Sequence, residues 1–350
     1  MNATERNGIK TLGLLSGGLD STIAVKLMLR LGYDVTVLNF MSPFCNCTKK
    51  HDGCKSAAHQ LAGELGIEIK AVFMGEEYID MLRAPKHGYG KGINPCLDCR
   101  IMMFKQAKKA MEEIGAKFIF TGEVLSQRPM SQMRNRLHQI ENESGLKGLI
   151  VRPLSAALLE PTTPEKMGWI DRNEMLSISG RSRKPQIEIG REMGMDEENF
   201  CSSGGCLLTD GHFAGRMRDL LSHTEKTSVA QTRLLRVGRH FRVSDNCKVI
   251  VGRNEAENEK LEKMAAAGDL FVRVRDFKGP MVLISGSEHG PTAGDGSKNA
   301  AALAAGIAVR YSDAPKDEDV EVEVITPGSA ANSSLFSRAI SESQIEGMRV

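Results

Sequence analysis

The sequence predicts an α/β protein, with a parallel sheet covered by helices on both faces, followed by a smaller C-terminal α+β domain. Three observations carry this. Short apolar strands alternate with helical patterns from about residue 10 to 121, as crossover connections between parallel strands require. The first strand runs directly into Ser-Gly-Gly-Leu-Asp-Ser at 16–21 and then into a helix. From about residue 232 the chain changes to short Val/Ile/Arg-rich strands.

Residues 10–15 read as a short buried strand that stops at the Gly pair, and 20–31 as a helix with Ile23, Ala24, Leu27, Met28 and Leu31 at helical spacing before Gly32. A strand at 34–40, a helix at 55–66 and a strand at 67–73 follow. A Gly-rich loop at 87–95 leads to a helix at 99–114 and a strand at 117–121. Residues 161–195 read as mainly helical. Beyond them, strands are predicted at 233–237, 248–252, 270–275 and 281–285, with helices at 255–267 and 298–308. Residues 286–298 read as a Gly/Ser/His loop and 313–323 as an acidic cluster. The domains expected are therefore 1–215 and 232–326, with a tail of little pattern at 327–350.

Composition is that of an ordinary globular chain, 41% hydrophobic and 26% charged with net charge +2, and 350 residues suffice for two cores. No signal peptide is evident and no apolar run approaches the roughly 18 residues that span a bilayer, so a cytoplasmic protein with no membrane partner is expected. Eight cysteines in a reducing compartment point to metal ligands or reactive thiols rather than a disulfide framework.

The loop at 16–21 has the chemistry of a phosphate cradle. Gly17 and Gly18 let the backbone approach an anion, while Ser16, Ser21 and the amides opening the helix (Leu19 among them) supply donors. Asp20 is placed to hold Mg²⁺ against phosphate oxygens. Phe40 and Gly122 complete the expected ATP contacts. No Gly-Lys-Ser/Thr ending is present, so this is not a Walker A loop. The hexapeptide resembles that of PP-loop ATP pyrophosphatases, which implies cleavage of ATP to AMP and pyrophosphate through an adenylated intermediate.

Asn94-Pro95-Cys96-Leu97-Asp98-Cys99-Arg100 opens a helix. Cys-x-x-Cys there suits either a nucleophilic thiol favoured by the helix dipole or a pair of metal ligands. The segment resembles the Asn-Pro-x-x-x-Cys-Asn element of tRNA 2-thiouridine synthases, with Cys99 at that family's catalytic position. Ser203-Gly204-Gly205-Cys206 resembles the element carrying its second cysteine. Thr121-Gly122-Glu123-Val124-Leu125-Ser126-Gln127, with Ser131-Gln132, resembles a segment of tRNA 4-thiouridine synthases.

Cys96 departs from the 2-thiouridine pattern, where an Asp is usual. Cys96, Cys99 and Cys206 together are similar to the iron–sulfur-dependent tRNA thiolases, which implies three ligands to a [4Fe–4S] cluster. A persulfide relay through Cys99 and Cys206, or a zinc site, are the alternatives. Cys201 is a less well matched substitute for Cys206. Cys45, Cys47 and Cys54, with His51 between them, form a second candidate metal site. Cys247 reads as an ordinary buried thiol.

Arg128, Arg134, Arg136 and His138 fall in a loop expected at the C-terminal edge of the sheet, where ligands bind. Arg128, Arg134, Arg181, Arg183 and Arg253 are the expected RNA contacts. Arg233, Arg236, Arg239 and Arg242 recur through one strand region, joined by Lys248 and Arg253, while acids concentrate at 313–323. Such a domain can turn a basic face to a phosphate backbone. Residues 233–326 resemble the RNA-binding domain of NFACT proteins in Val251-Gly252-Arg253-Asn254-Glu255, the strand at 270–275 and Lys278-Gly279-Pro280.

These resemblances imply an ATP-dependent tRNA sulfurtransferase with Asp20, Cys99 and Cys206 as catalytic residues. They imply tRNA and a sulfur donor (sulfide or a persulfide carrier) as partners, and a homodimer is the expected assembly. The competing readings are a small-molecule amidating synthase with cysteine-bound zinc, and a non-catalytic RNA-binding nucleotide sensor.

Overall fold

The computed structural model describes residues 8–45, 54–195, 205–286, 295–327 and 332–350. The chain forms two compact units, Met1–Asp210 and Gly211–Val350.

In the first unit, strands β1 (Lys10–Leu14), β2 (Asp34–Met41), β3 (Glu68–Phe73), β4 (Phe118–Thr121) and β5 (Ile150–Val151) make a five-stranded sheet ordered β3-β2-β1-β4-β5. All its pairings are parallel. Strand order reverses between β1 and β4, so the crevice outside their carboxyl ends is the place where such sheets bind ligands. Alternate residues face opposite ways along each strand. Val35, Val37, Phe118 and Phe120 pack with α1 (Leu19–Arg30) and α2 (Cys54–Leu65), whereas Leu12, Leu14, Leu38 and Ile119 pack with α4 (Cys96–Ile114). Helices thus cover both faces, as the alternation predicts.

Three segments differ from the sequence expectation. Glu76–Arg83 forms α3, whose eight residues bury Tyr78, Ile79 and Leu82. Arg134–Ser144 is a helix, α5, and not a loop, because Leu137 and Ile140 face the core at helical spacing. The stretch 161–195 is only partly helical: α6 (Thr163–Lys166) and α7 (Lys184–Glu192) flank turns and a single 3-10 turn at Arg172–Glu174. Gly168 and Gly180, at φ 71 and 88, take the left-handed conformation that interrupts a continuous helix.

The second unit is an antiparallel six-stranded sheet, β11-β10-β8-β9-β7-β6, with α8 (Gly211–His223) and α9 (Val229–Leu234) preceding it in sequence. Its strands are β6 (Arg239–Ser244), β7 (Cys247–Val251), β8 (Leu270–Val274), β9 (Val282–Gly286), β10 (Val320–Ile325) and β11 (Ser333–Ser337). Helix α10 (Glu255–Met264) connects β7 to β8, and α11 (Asp295–Tyr311) lies against the sheet. The face of α11 against the sheet is built from Ala300, Ala304, Ala305 and Ala308, small side chains that let helix and strands approach closely, together with Ile307.

The strand predicted at 233–237 is instead the end of α9 and a turn, fixed by a capping box between Ser228 and Gln231. The tail at 327–350 carries β11, paired with β10, and α12 (Glu342–Met348), whose Ile345 is buried. Its apolar positions are too few for periodicity to show, and pairing with β10 supplies its order. Cys247 is buried at the start of β7. Among the described residues, no helix is long and apolar enough to cross a membrane.

Candidate nucleotide and thiol site

The loop after β1 braces itself. Ser21 Oγ donates to Gly18 O at 2.8 Å and accepts from Ser16 N at 3.2 Å, and Thr22 Oγ1 donates to Gly18 O at 3.1 Å. Gly17 turns with φ 75 against Ala57 and Ala58 of α2. No side chain caps α1 at Gly18. The amides that open this helix are therefore available to an anion.

Gly122, just past β4, packs against the start of α1. A Cβ there would stand against the Asp20 carbonyl and 2.5 Å from the Ser21 amide nitrogen. This close approach brings the ends of β1 and β4 together at the point where strand order reverses. The crevice between them is a cavity of about 300 Å³. Ser16, Gly18, Leu19, Asp20, Ser21, Phe40 and Gly122 all line it. Arg128, Arg181 and Arg183 line it too, so the structure brings three of the expected RNA-binding arginines to the nucleotide loop.

Asp20 is set by its neighbours. Burial raises its carboxyl above the usual range, against a hydrogen bond from Gln127 Nε2 to Oδ2 at 3.1 Å and the charges of Arg183 and Arg128. Its Oδ1 is buried and, among the described residues, has no hydrogen-bond partner. A buried, unsatisfied carboxylate oxygen facing a phosphate-sized cavity fits Mg²⁺, a hard cation with a preference for carboxylate and phosphate oxygens. Gln127 reaches Asp20 because the chain turns sharply at Ser126, whose φ of 64 is unusual for a residue with a side chain. Ser126 N donates to Gln132 O at 2.8 Å to close that turn.

Glu123, 2% exposed, also lines the cavity. Arg152 Nε donates to its Oε2 at 3.2 Å, Arg100 Nε lies 3.5 Å from its Oε1, and Arg152 in turn reaches Glu141 of α5 at 2.5 Å. Glu123, Gln127, Gln132 and Arg100 all stand inside recognisable motifs, yet sequence reasoning gave them no role. Their signal was that each sits one to five residues from a residue that was assigned.

Arg100 follows Cys99 at the start of α4 and lines the cavity, so the thiols begin where the nucleotide pocket ends. Burial pushes the Cys99 thiol up to about 11, opposed by a hydrogen bond from the Tyr78 hydroxyl and by the Arg100 charge. Cys206 is pushed up to about 12, first by burial, with Cys99, Cys96 and Cys45 adding to the shift. Burial lowers Arg128, as does Arg100, while Cys96, Asp20 and Glu123 act the other way. Arg128 therefore lies within electrostatic reach of both the thiols and the nucleotide loop. Tyr78 comes from α3, a helix that sequence reasoning missed, and its phenol is raised by burial and by Cys99.

Cys96, Cys99 and Cys206 thus lie within electrostatic reach of one another, and a backbone bridge brings Cys45 to Cys206. Of the second candidate metal site, Cys47 and His51 lie outside the described residues, and so does the side chain of Cys54, which opens α2. Cys201 lies outside them as well. Thiols are soft donors suited to an iron–sulfur centre or zinc. Among the described residues no three His, Cys, Asp or Glu side chains converge as a ligand set, so these thiols would have to close in to ligate.

The remaining arginines serve other contacts. Arg134, at the start of α5, donates to Leu158 O at 2.8 Å. Arg253 is held by Glu257, with Nε to Oε2 at 2.9 Å. Arg242 and Lys248 grip Asp219 at 2.8 and 2.7 Å, and Arg239 lies over the Tyr311 ring at 4.9 Å. Arg233 stands on α9 and not on a strand.

Comparison with known proteins divides the chain in the same way. Residues 7–158 match the family described as thiamine biosynthesis protein (ThiI). Residues 238–348 match the NFACT protein RNA-binding domain. A tRNA-specific 2-thiouridylase, MnmA, of Leptospira biflexa is 26% identical over 232 residues, which cover 58% of this chain and 58% of that protein. The chain thus spans little more than half the length of that relative. Among solved structures, a 4-thiouridine synthetase–RNA complex with bound ATP aligns with TM-score 0.35 and 23% identity, over 55% of this chain and 53% of that one. The U34-tRNA thiolase NcsA of Methanococcus maripaludis, with its [4Fe–4S] cluster, aligns with TM-score 0.32 and 16% identity, over 66% and 70%. The two matches fall one in each compact unit, residues 7–158 in the first and residues 238–348 in the second.

Proposed function

We propose that the chain is an ATP-dependent tRNA sulfurtransferase that adenylates a uridine carbonyl and replaces its oxygen with sulfur. The observation that carries this reading is the junction at Arg100, where a nucleotide cavity at the sheet's reversal point meets three thiols within electrostatic reach of one another.

ATP occupies the cavity with its phosphates on the amides of residues 16–21. Asp20, whose Oδ1 has no hydrogen-bond partner among the described residues, would hold Mg²⁺, which would offset phosphate charge. Arg128, Arg181 and Arg183 add positive charge at the same mouth, where negative charge grows as pyrophosphate leaves. Gln127 keeps Asp20 oriented. The uridine oxygen attacks the α-phosphate and becomes part of AMP, a far better leaving group than oxide. Sulfide then attacks the activated carbon, and AMP departs with the original oxygen; where a persulfide carrier is the donor, a second thiol cleaves its S–S bond and is left in a disulfide with the carrier thiol. Cys96, Cys99 and Cys206 would hold a [4Fe–4S] cluster, whose chemistry would be to bind the incoming sulfide. The Tyr78 hydroxyl orients Cys99. The NFACT-type domain contributes tRNA binding, and a homodimer is the assembly proposed.

Two variants separate the half-reactions. Asp20→Ala abolishes AMP formation, whereas Cys99→Ala still adenylates tRNA, read as pyrophosphate release, and makes no thionucleoside. Full thiolation by Cys99→Ala would overturn the sulfur-transfer assignment.

A further inference from the structure

Cys45 and Cys206 meet in an isolated antiparallel bridge between the loop after β2 and the turn at Leu207–Thr209. The hydrogen bond that closes it runs from Leu207 N to Phe44 O at 2.9 Å, between the neighbours of the two cysteines and not between the cysteines themselves. In an antiparallel ladder that pattern marks a non-hydrogen-bonded pair. The Cα atoms of such a pair stand about 4.5 Å apart, with the side chains close together on one face. A disulfide needs Cα atoms about 4.4–6.8 Å apart, so the backbone already holds these two thiols at a bridging distance.

Both sides of the bridge are anchored. Phe44 is fully buried, with its ring 5.4 Å from that of Tyr78. The Cys45 amide donates to Ser42 O at 3.3 Å, and the Ser42 amide donates to Cys45 Sγ at 3.4 Å. Across the bridge, Leu208 is buried and its carbonyl accepts from Ile93 N at 3.0 Å. Cys45 and Cys206 are each half-buried and so within reach of a small reagent.

We propose that Cys45 and Cys206 form a reversible disulfide across this bridge, with a low-molecular-weight disulfide as the oxidant. One cysteine, as thiolate, attacks a sulfur of the reagent. A mixed disulfide forms, and one reagent thiol leaves with the reagent's S–S electron pair. The second cysteine loses its proton and attacks the protein sulfur, expelling the other reagent thiol. Two protein thiols are oxidised and one small disulfide is reduced to two thiols. Formation of the bond removes Cys206 from the thiol group and leaves the loop at 16–21 untouched. Its effect on thiolation rests on the sulfurtransferase reading, but the pairing itself does not.

The test needs no tRNA. The full-length protein is equilibrated with oxidised glutathione in the absence of oxygen, remaining thiols are blocked with N-ethylmaleimide, and linked peptides are mapped by mass spectrometry. The expected product joins Cys45 to Cys206. That link persists in Cys47→Ser, Cys99→Ser and Cys201→Ser, is lost in Cys45→Ser and in Cys206→Ser, and reverses with dithiothreitol. A predominant Cys96–Cys99 link with Cys45 and Cys206 alkylated would overturn the proposal, as would a Cys206 link that survives in Cys45→Ser. If the pairing is found and the protein makes no thionucleoside, the sulfurtransferase reading fails while the disulfide stands.

Discussion

At Gly122 a single missing methyl group decides whether the nucleotide loop can form. A Cβ at this position would press on the Asp20 carbonyl and the Ser21 amide. Gly122→Ala is therefore expected to fold with the loop displaced and to lose most nucleotide turnover, read as pyrophosphate release. Turnover within a factor of about two of the parent would contradict the packing argument. Ser126 poses the opposite problem, since its side chain occupies a left-handed turn that glycine would adopt without strain. Ser126→Gly should keep stability within about 1 kcal/mol, whereas Ser126→Val should lose about 1–3 kcal/mol and loosen Gln127 from Asp20. Urea melts of both variants check this. The order of the two effects matters more than their size.

At the scale of elements, a buried charge cluster ties α8 to the sheet of the second unit. Asp219 on α8 lies between Arg242 of β6 and Lys248 of β7, at 10% side-chain exposure. Burial alone would raise the Asp219 carboxyl. The two cations outweigh burial and hold it at about 2, below the ordinary 3.8. A depressed carboxylate stabilises the fold fully above its unfolded value, and that contribution is lost as pH falls through the folded value. The melting temperature of residues 211–350 should therefore drop below about pH 4. Asp219→Asn should cost about 3–5 kcal/mol at neutral pH, because it strands buried cations, and should remove that part of the acid dependence. A melting temperature as acid-sensitive in Asp219→Asn as in the parent would contradict it.

Elements whose signal is local were legible in the sequence. The strand, Ser16–Ser21 loop and helix follow from a hexapeptide and helical spacing, and all three stand where expected. The short helix with Tyr78 was not legible, because eight residues, three of them acids, give barely two turns in which helical spacing can show. Helix α5 was hidden by its arginines. Other placements depend on contacts across the fold. Cys45 reads with Cys47 and Cys54 by spacing, but a bridge across the fold sets it beside Cys206. Arg128, Arg181 and Arg183 read as RNA contacts, and the structure adds that they line the nucleotide cavity.

For the whole molecule, the proposal divides the tasks between the two units: nucleotide and sulfur chemistry in residues 1–210 and tRNA binding in 211–350. The strand arginines of the second unit are largely engaged by its own acids, as in Arg273–Glu323 and Arg275–Glu321 on β8 and β10. Its share of phosphate binding is therefore expected to be modest in charge. Deleting residues 211–350 should weaken tRNA binding and reduce the slope of log affinity against log salt. An unchanged slope would remove RNA binding from that domain's role.

The central claim is the sulfur-for-oxygen exchange itself. It is tested most directly by nucleoside mass spectrometry of bulk tRNA incubated without oxygen with the protein, Mg-ATP and sulfide. The account predicts a new thiouridine that disappears when ATP is omitted and in Asp20→Ala. AMP release with no thionucleoside under any of these conditions would contradict it.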